Sequence, residues 1–199
     1  MNLKLIGKMK SHKISSGLKH LAGVLMSCLV FCSMFSQCEQ ERSLEEGNDV
    51  DFTLFGLSSF PEGLLLYSTG ATSVEFDGKS LSCDVPLLSV AEEEASAPDF
   101  ISMTITLASE SDLEAGRVYD MSQPGTEVDI VLEYVSEDGG ELRRARAENA
   151  SMKVSLLSDR YITGTFSCDF TLMLPDGSGE AMTECECHAD KGYFNIFLL

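Results

Sequence analysis

Apolar and polar residues alternate with a period of two along most of the chain from Phe52 onward. Residues 128–134 (VDIVLEY) and 152–156 (MKVSL) follow this pattern, as do residues 101–107 (ISMTITL). Successive side chains of a β-strand point to opposite faces, so the pattern predicts strands that are buried on one side. In residues 101–107 the predicted buried face consists of Ile101, Met103, Ile105 and Leu107.

The longest alternating run covers residues 162–172 (ITGTFSCDFTL). Its length and its regular alternation predict a strand in the interior of a sheet. The predicted inward face consists of Ile162, Gly164, Phe166, Cys168, Phe170 and Leu172.

Turn signals separate these runs at Asp77–Gly78 and at residues 138–140 (DGG), 158–160 (SDR) and 175–179 (PDGSG). Such sequences favour tight turns between antiparallel strands. No segment shows a convincing helical period. The pattern therefore predicts an all-β fold, an antiparallel β-sandwich or open barrel built from hairpins, over residues 52–199.

The N-terminal 37 residues have a different character. They contain five lysines and no acidic residue, and residues 21–35 (LAGVLMSCLVFCSMF) are continuously apolar. A basic segment followed by a short apolar segment is typical of a signal peptide. The sequence "FSQCEQE" that follows resembles a bacterial lipobox, which predicts a signal peptide over residues 1–37 and a lipidated Cys38. Cys28 and Cys32 remain alternative lipidation sites.

Residues 38–51 are rich in acids and poor in apolar residues, which predicts a tether between the lipid and the domain. Without the signal peptide the chain has 9 basic and 32 acidic side chains, a net charge of −23. This charge argues against nucleic acid as a partner and leaves the N-terminal lipid as the expected attachment to the membrane. The acidic segment 91–99 (AEEEASAPD) is interpreted as a solvated loop.

Several segments together resemble a family of small β-sandwich lipoproteins of gut-dwelling Gram-negative bacteria, a family with no assigned function. The resemblance covers about residues 70–199 and implies an envelope location and this fold, but no reaction. Because Glu39 is not the inner-membrane retention signal of such lipoproteins, it also implies the outer membrane. The matching segments are FDGKSLS (76–82), SMTITL (102–107), AGRVYDM (115–121), ASMKVSLLSDRYITGTFSCDF (150–170) and KGYFNIFLL (191–199). Within them, residues Gly164–Ser167 match one strand of the family, and Gly192, Phe194 and Ile196 match its last strand.

The sequence contains no recognisable catalytic motif, and we expect no enzymatic activity and no cofactor. His188 is the single histidine outside the signal peptide, and no Gly-x-Ser-x-Gly motif accompanies it. Cys187 and His188 are adjacent in a predicted strand, so they should point to opposite faces. Glu184 and Glu186 are interpreted as a solvated rim.

The segment 183–190 (TECECHAD) raises the question of a metal site. We expect disulfide bonds instead, because the spacing departs from the usual zinc signatures and envelope compartments oxidise thiols. A tight turn at Asp176–Gly177 would place Cys168 opposite Cys185, and a four-residue turn would place it opposite Cys187. The predicted bridges are Cys168–Cys185 and Cys83–Cys187.

The function predicted from the sequence is that of a lipid-anchored, non-catalytic binding or accessory module of the cell envelope. Its partner would be a protein or a glycan, but the chain has no Trp and only five Tyr, which weakens the glycan hypothesis. The alternative is an acidic inhibitor of a basic hydrolase such as lysozyme, since opposite charges speed the encounter of two proteins.

Overall fold

The structure is a computed structural model that describes residues 48–90, 98–136, 140–176 and 181–198. The predicted signal peptide, Cys38 and most of the acidic segment 91–99 lie outside the described residues. The described residues form twelve strands: β1 (Asp49–Phe55), β2 (Leu64–Ser68), β3 (Ser73–Phe76), β4 (Ser80–Pro86), β5 (Leu88–Val90), β6 (Asp99–Ser109), β7 (Val118–Asp120), β8 (Thr126–Val135), β9 (Leu142–Arg146), β10 (Glu148–Leu157), β11 (Tyr161–Pro175) and β12 (Met182–Phe197).

The strands form two antiparallel sheets. The seven-stranded sheet has the order β5-β2-β1-β12-β11-β10-β7, and the five-stranded sheet has the order β3-β4-β6-β8-β9. The inward faces of both sheets contribute to one hydrophobic core. The prediction of an all-β sandwich is therefore confirmed.

The alternating runs place the predicted residues in the core. Phe166 packs edge-on against Phe52 of β1, with ring centroids 5.6 Å apart. The predicted inward face of β11 is buried along its whole length, and β11 lies between β10 and β12. The five-stranded sheet contributes Leu81, Cys83, Val85, Met103, Ile105, Leu107, Val128, Ile130, Leu132 and Tyr134.

Ile101 and Leu156 do not lie on the buried face that the alternation predicts, because a β-bulge shifts the strand register next to each of them. The register between β6 and β8 shifts between Phe100 and Ser102. Phe100 is consequently buried, whereas Ile101, which the alternation placed in the core, is 40% exposed. A second shift between Val154 and Leu156 of β10 exposes Leu156 in the same way. An extra residue in one strand reverses the inward and outward positions beyond it.

The first strand begins at Asp49, three residues before the predicted start of the domain. Residues 49–51 therefore belong to the sheet and not to the tether. Val50 is fully buried and lies opposite Phe194 of β12. A single apolar residue among acidic neighbours does not indicate a strand in the sequence. The burial of Val50 depends on its pairing with Phe194, which lies 144 residues further along the chain.

The hairpin of β11 and β12 has a longer connection than either turn considered from the sequence. Pro175 pairs with Met182, so residues 176–181 connect the strands. This register places Cys168 opposite Ala189, and Cys185 opposite Leu172. The predicted alignment of Cys168 with Cys185 or Cys187 is thus wrong.

Two of the other predicted turns lie within the described residues. At the β3–β4 turn the Asp77 carboxylate accepts hydrogen bonds from the backbone N–H groups of Lys79 and Ser80, which lower its pKa. At the β10–β11 turn the backbone N–H of Ser158 donates to the carbonyl oxygen of Tyr161. Both turns join neighbouring antiparallel strands, as the sequence predicted.

Candidate functional site

Four side chains lie in one row across the seven-stranded sheet. The pairing aligns Phe55 of β1 with His188 of β12, His188 with Asp169 of β11, and Asp169 with Glu148 at the start of β10. His188 and Asp169 each lie between two buried neighbours, and Phe55 and Glu148 each follow a buried residue, so the row lies on the outer face of the sheet. Neighbouring strands are about 4.8 Å apart, so the row spans roughly 14 Å.

The centre of the row is the hydrogen-bonded pair of His188 and Asp169. Nδ1 of His188 lies 2.5 Å from Oδ1 of Asp169, and Nδ2 of Asn149 donates a hydrogen bond of 3.0 Å to Oδ2 of the same carboxylate. The bond from Asn149 and the bond from His188 together lower the pKa of Asp169. The side chains of His188 and Asp169 are 51% and 44% exposed, so both remain accessible to solvent.

A cleft of about 570 Å³ opens over this row. Three carboxylates line it, those of Glu148, Asp169 and Glu186, together with His188 and the ring of Phe55. The exposure of Glu186 agrees with the predicted solvated rim, as does that of Glu184. The cleft therefore presents negative charge beside one aromatic ring that is 39% exposed.

Thr171, the hydroxyl side chain among the residues that line the cleft, donates to Oε1 of Glu148 at 3.4 Å. Cys187 points into the core while the His188 side chain points outward to Asp169, as the strand alternation predicted. Adjacent Cys and His residues on opposite faces cannot act as a catalytic pair.

The four cysteines of the domain are free thiols in the structure, so the predicted bridges Cys168–Cys185 and Cys83–Cys187 are not formed. Their predicted inward orientation is correct, since Cys83, Cys168 and Cys187 are buried and Cys185 is half-buried. Burial raises the pKa of Cys83 and of Cys168 to about 12. Burial, together with the neighbouring Cys185, does the same for Cys187.

Cys185 and Cys187 lie in contact with each other. Their Sγ atoms are 3.8 Å apart, and Sγ of Cys185 donates to the carbonyl oxygen of Gly56 at 3.5 Å. Gly56 has φ of +104°, and a Cβ atom there would collide with the carbonyl oxygen of Glu186. Only glycine allows the chain leaving β1 to pass this close to β12.

The alternating pattern does not predict the Asp169–His188 pair. Both residues lie in alternating strands, and the hairpin register that joins them depends on the six-residue connection 176–181. The sequence around Asn149 does not predict its hydrogen bond to Asp169 either. It has φ of +52°, which Asn tolerates better than most residues.

The described ranges contain no group of three or more His, Cys, Asp or Glu side chains placed to hold a metal ion. Nor do they include a helix with the length and apolarity to cross a bilayer. Comparison of the chain with protein-family models, with curated proteins and with solved structures found no match.

Proposed function

We propose that this protein is a non-catalytic binding module of the cell envelope whose outer-face cleft takes a positively charged side chain of a partner protein. The row formed by Phe55, His188, Asp169 and Glu148 carries the proposal. It combines carboxylates with an exposed aromatic ring, the two kinds of group that attract an ammonium or guanidinium ion.

The composition of the cleft favours a cation over other ligands. Glu148 and Glu186 are both exposed at its rim, and Asp169 is held ionised by Asn149 and His188. An anion would be repelled by three carboxylates. A glycan would usually stack on exposed aromatic rings, whereas of the two phenylalanines lining this cleft Phe55 is exposed and Phe170 is buried.

A basic protein is the partner class that this chemistry fits. The full chain has a formal net charge of −18, which favours fast encounter with a positively charged surface. The same field supports a second candidate function, inhibition of a basic envelope-attacking hydrolase such as lysozyme. In that case the cleft would take a Lys or Arg side chain from the surface of the enzyme.

The envelope location rests on the N-terminal sequence. The basic and apolar segments of residues 1–37, followed by Cys38, support attachment to the outer membrane through a lipid on Cys38. The acidic residues after Cys38 would then separate the lipid from the sandwich. The partner would be encountered at the membrane face.

A charge-neutralising double variant tests the cleft. In Glu148→Gln/Glu186→Gln, we expect affinity for an oligo-arginine peptide to fall about two- to thirtyfold, since each of the two exposed ion pairs contributes about 0.2–1 kcal/mol. The matched control, Glu75→Gln/Glu127→Gln, removes the same charge from exposed positions of the five-stranded sheet. Isothermal titration calorimetry at low and high salt measures both. Equal losses in the two variants would show that only net charge matters, and would overturn the cleft as the site.

The inhibitor function has its own test. Lysis of bacterial cell walls by a basic lysozyme is followed with and without the protein. Inhibition that disappears in the Glu148→Gln/Glu186→Gln variant, but persists in the Glu75→Gln/Glu127→Gln variant, would support it. Unchanged lysis at a large excess of the protein would exclude this candidate and leave the binding function standing.

A further inference from the structure

We propose that Cys185 and Cys187 form a two-thiolate site for copper(I), separate from the cation-binding role of the outer cleft. Both side chains lie on the inward face of β12, at the end of the sandwich near the β11–β12 connection. Their Sγ atoms are 3.8 Å apart, and Cys185 is half-buried, so the pair is accessible from one side.

The sulfur separation suits a bridging metal. For a metal–sulfur distance of about 2.3 Å, two thiolates are about 3.8 Å apart at a tetrahedral angle and about 4.6 Å apart in a linear arrangement. The observed 3.8 Å lies at the lower end of this range. A copper(I) ion held by two thiolates needs the linear arrangement, so the half-buried Cys185 side chain would turn about χ1 to widen the separation.

A disulfide fits the same pair less well. Residues i and i+2 of a strand have Cα atoms about 6.4–6.8 Å apart, at the upper limit for a disulfide, whose usual value is about 5.5–6 Å. Closing the bond would therefore strain β12, which is paired with β11 at both cysteines. A metal ion needs no such contraction.

The number of available protein ligands favours copper(I) over zinc at this pair. Zinc in a structural site takes four protein ligands, and the described residues offer no third His, Cys, Asp or Glu for this pair. His188, the nearest candidate in sequence, points to the opposite face. Copper(I) is a soft ion that prefers thiolates and is satisfied by two of them. Each thiol loses its proton on binding, so two protons are released per copper(I) ion bound.

The local backbone holds the pair in place. The chain leaving β1 passes over the sulfurs at Gly56, whose carbonyl oxygen accepts the hydrogen bond from Cys185. The Tyr134 hydroxyl, which accepts a hydrogen bond from the backbone of Met173, is an electrostatic neighbour of both cysteines. The two sulfurs are adjacent before any metal arrives, which lowers the entropic cost of binding. The hydrogen bond from Cys185 to Gly56 is given up when the thiol loses its proton.

An anaerobic titration tests the site. Copper(I) alone is added to the full-length protein in competition with a chromophoric chelator. We expect Cys185→Ala and Cys187→Ala each to bind one fewer copper(I) ion than the unsubstituted chain, and Cys83→Ala and Cys168→Ala to bind the same number as the unsubstituted chain. Cys28, Cys32 and Cys38 are common to all variants, so only the difference is interpreted.

Circular dichroism accompanies each titration. Should Cys187→Ala fail to fold, the half-buried Cys185 gives the deciding variant. Equal stoichiometry in all variants would overturn the proposal. So would a Cys185–Cys187 disulfide, found by non-reducing mass spectrometry of the anaerobically isolated protein, or zinc(II) binding that outcompetes copper(I) at the pair.

Discussion

The hydroxyl of Tyr134, on β8 of the five-stranded sheet, accepts a hydrogen bond of 2.8 Å from the backbone N–H of Met173, on β11 of the seven-stranded sheet. The same hydroxyl donates to the carbonyl oxygen of Met173 at 3.4 Å. Tyr134 is 1% exposed, so its polar atom reaches a partner across the core. This contact ties the two layers of the sandwich together.

Replacing Tyr134 by Phe should lower the free energy of unfolding by about 1–3 kcal/mol, because the part-buried N–H of Met173 would lose its partner. Chemical denaturation measures the change. Tyr161→Phe, which removes the same hydroxyl at a half-buried position, is the control and should be nearly neutral. Equal stability of the two variants would mean that the hydroxyl does not join the sheets.

The Asp169–His188 pair predicts a pH-dependent contribution to stability. The pKa of Asp169 is lower in the folded chain than its usual value of 3.8. Its ionised form therefore stabilises the fold above that value, and the contribution is lost as the pH falls through the folded pKa. Because the pair is exposed, Asp169→Asn should cost only about 0.2–1 kcal/mol at neutral pH.

Denaturation of Asp169→Asn is compared with that of the unsubstituted chain at neutral pH and in acid. The difference between the two proteins should shrink towards zero in acid. Asp190→Asn changes an exposed acid on the same strand as His188 and serves as the control. A difference that stays constant with pH would contradict the ionic origin of the effect.

Gly56→Ala should lower the free energy of unfolding by about 2–5 kcal/mol. Alanine is strained at the positive φ of this position, and its Cβ atom would also collide with the carbonyl oxygen of Glu186. Thermal unfolding measures it. Gly70→Ala is the control, because a Cβ at Gly70 meets no atom within 4 Å. If both variants are equally stable, β1 does not pass β12 as closely as the structure has it.

The thiols should differ in reactivity. The pKa of Cys83 and of Cys168 is raised from 9.0 to about 12, which lowers the thiolate fraction at mildly alkaline pH by about a thousandfold. We expect iodoacetamide to modify the half-buried Cys185 first, and Cys83 and Cys168 only after unfolding in guanidinium. Peptide mass spectrometry resolves the sites. Equal rates in the folded protein would contradict the burial.

The predicted lipid anchor at Cys38 can be tested in the cell. If Cys38 is lipidated, the protein should stay with membranes through high-salt washing, and Cys38→Ser should release it or leave the signal peptide attached. Fractionation and intact mass measure both. Cys28→Ser and Cys32→Ser are the controls and should behave as the unsubstituted chain. Unchanged mass and retention in Cys38→Ser would refute the assignment.

The sequence alone determined the fold class and most of the core. The alternation in residues 128–134 and 162–172 predicted which side chains are buried, because a side-chain period of two is a property of each strand by itself. The same local rule put Cys187 and His188 on opposite faces. These conclusions needed no knowledge of neighbouring strands.

The tertiary structure decided the register and everything that depends on it. Bulges, such as the one between Phe100 and Ser102, and the length of the connection 176–181 set which residues face each other. They separate Cys168 from Cys185 and bring Asp169 to His188, and the pairing of β1 with β12 adds Phe55 to the row. Such relationships arise from contacts between residues distant in sequence, which the local pattern of a strand does not contain.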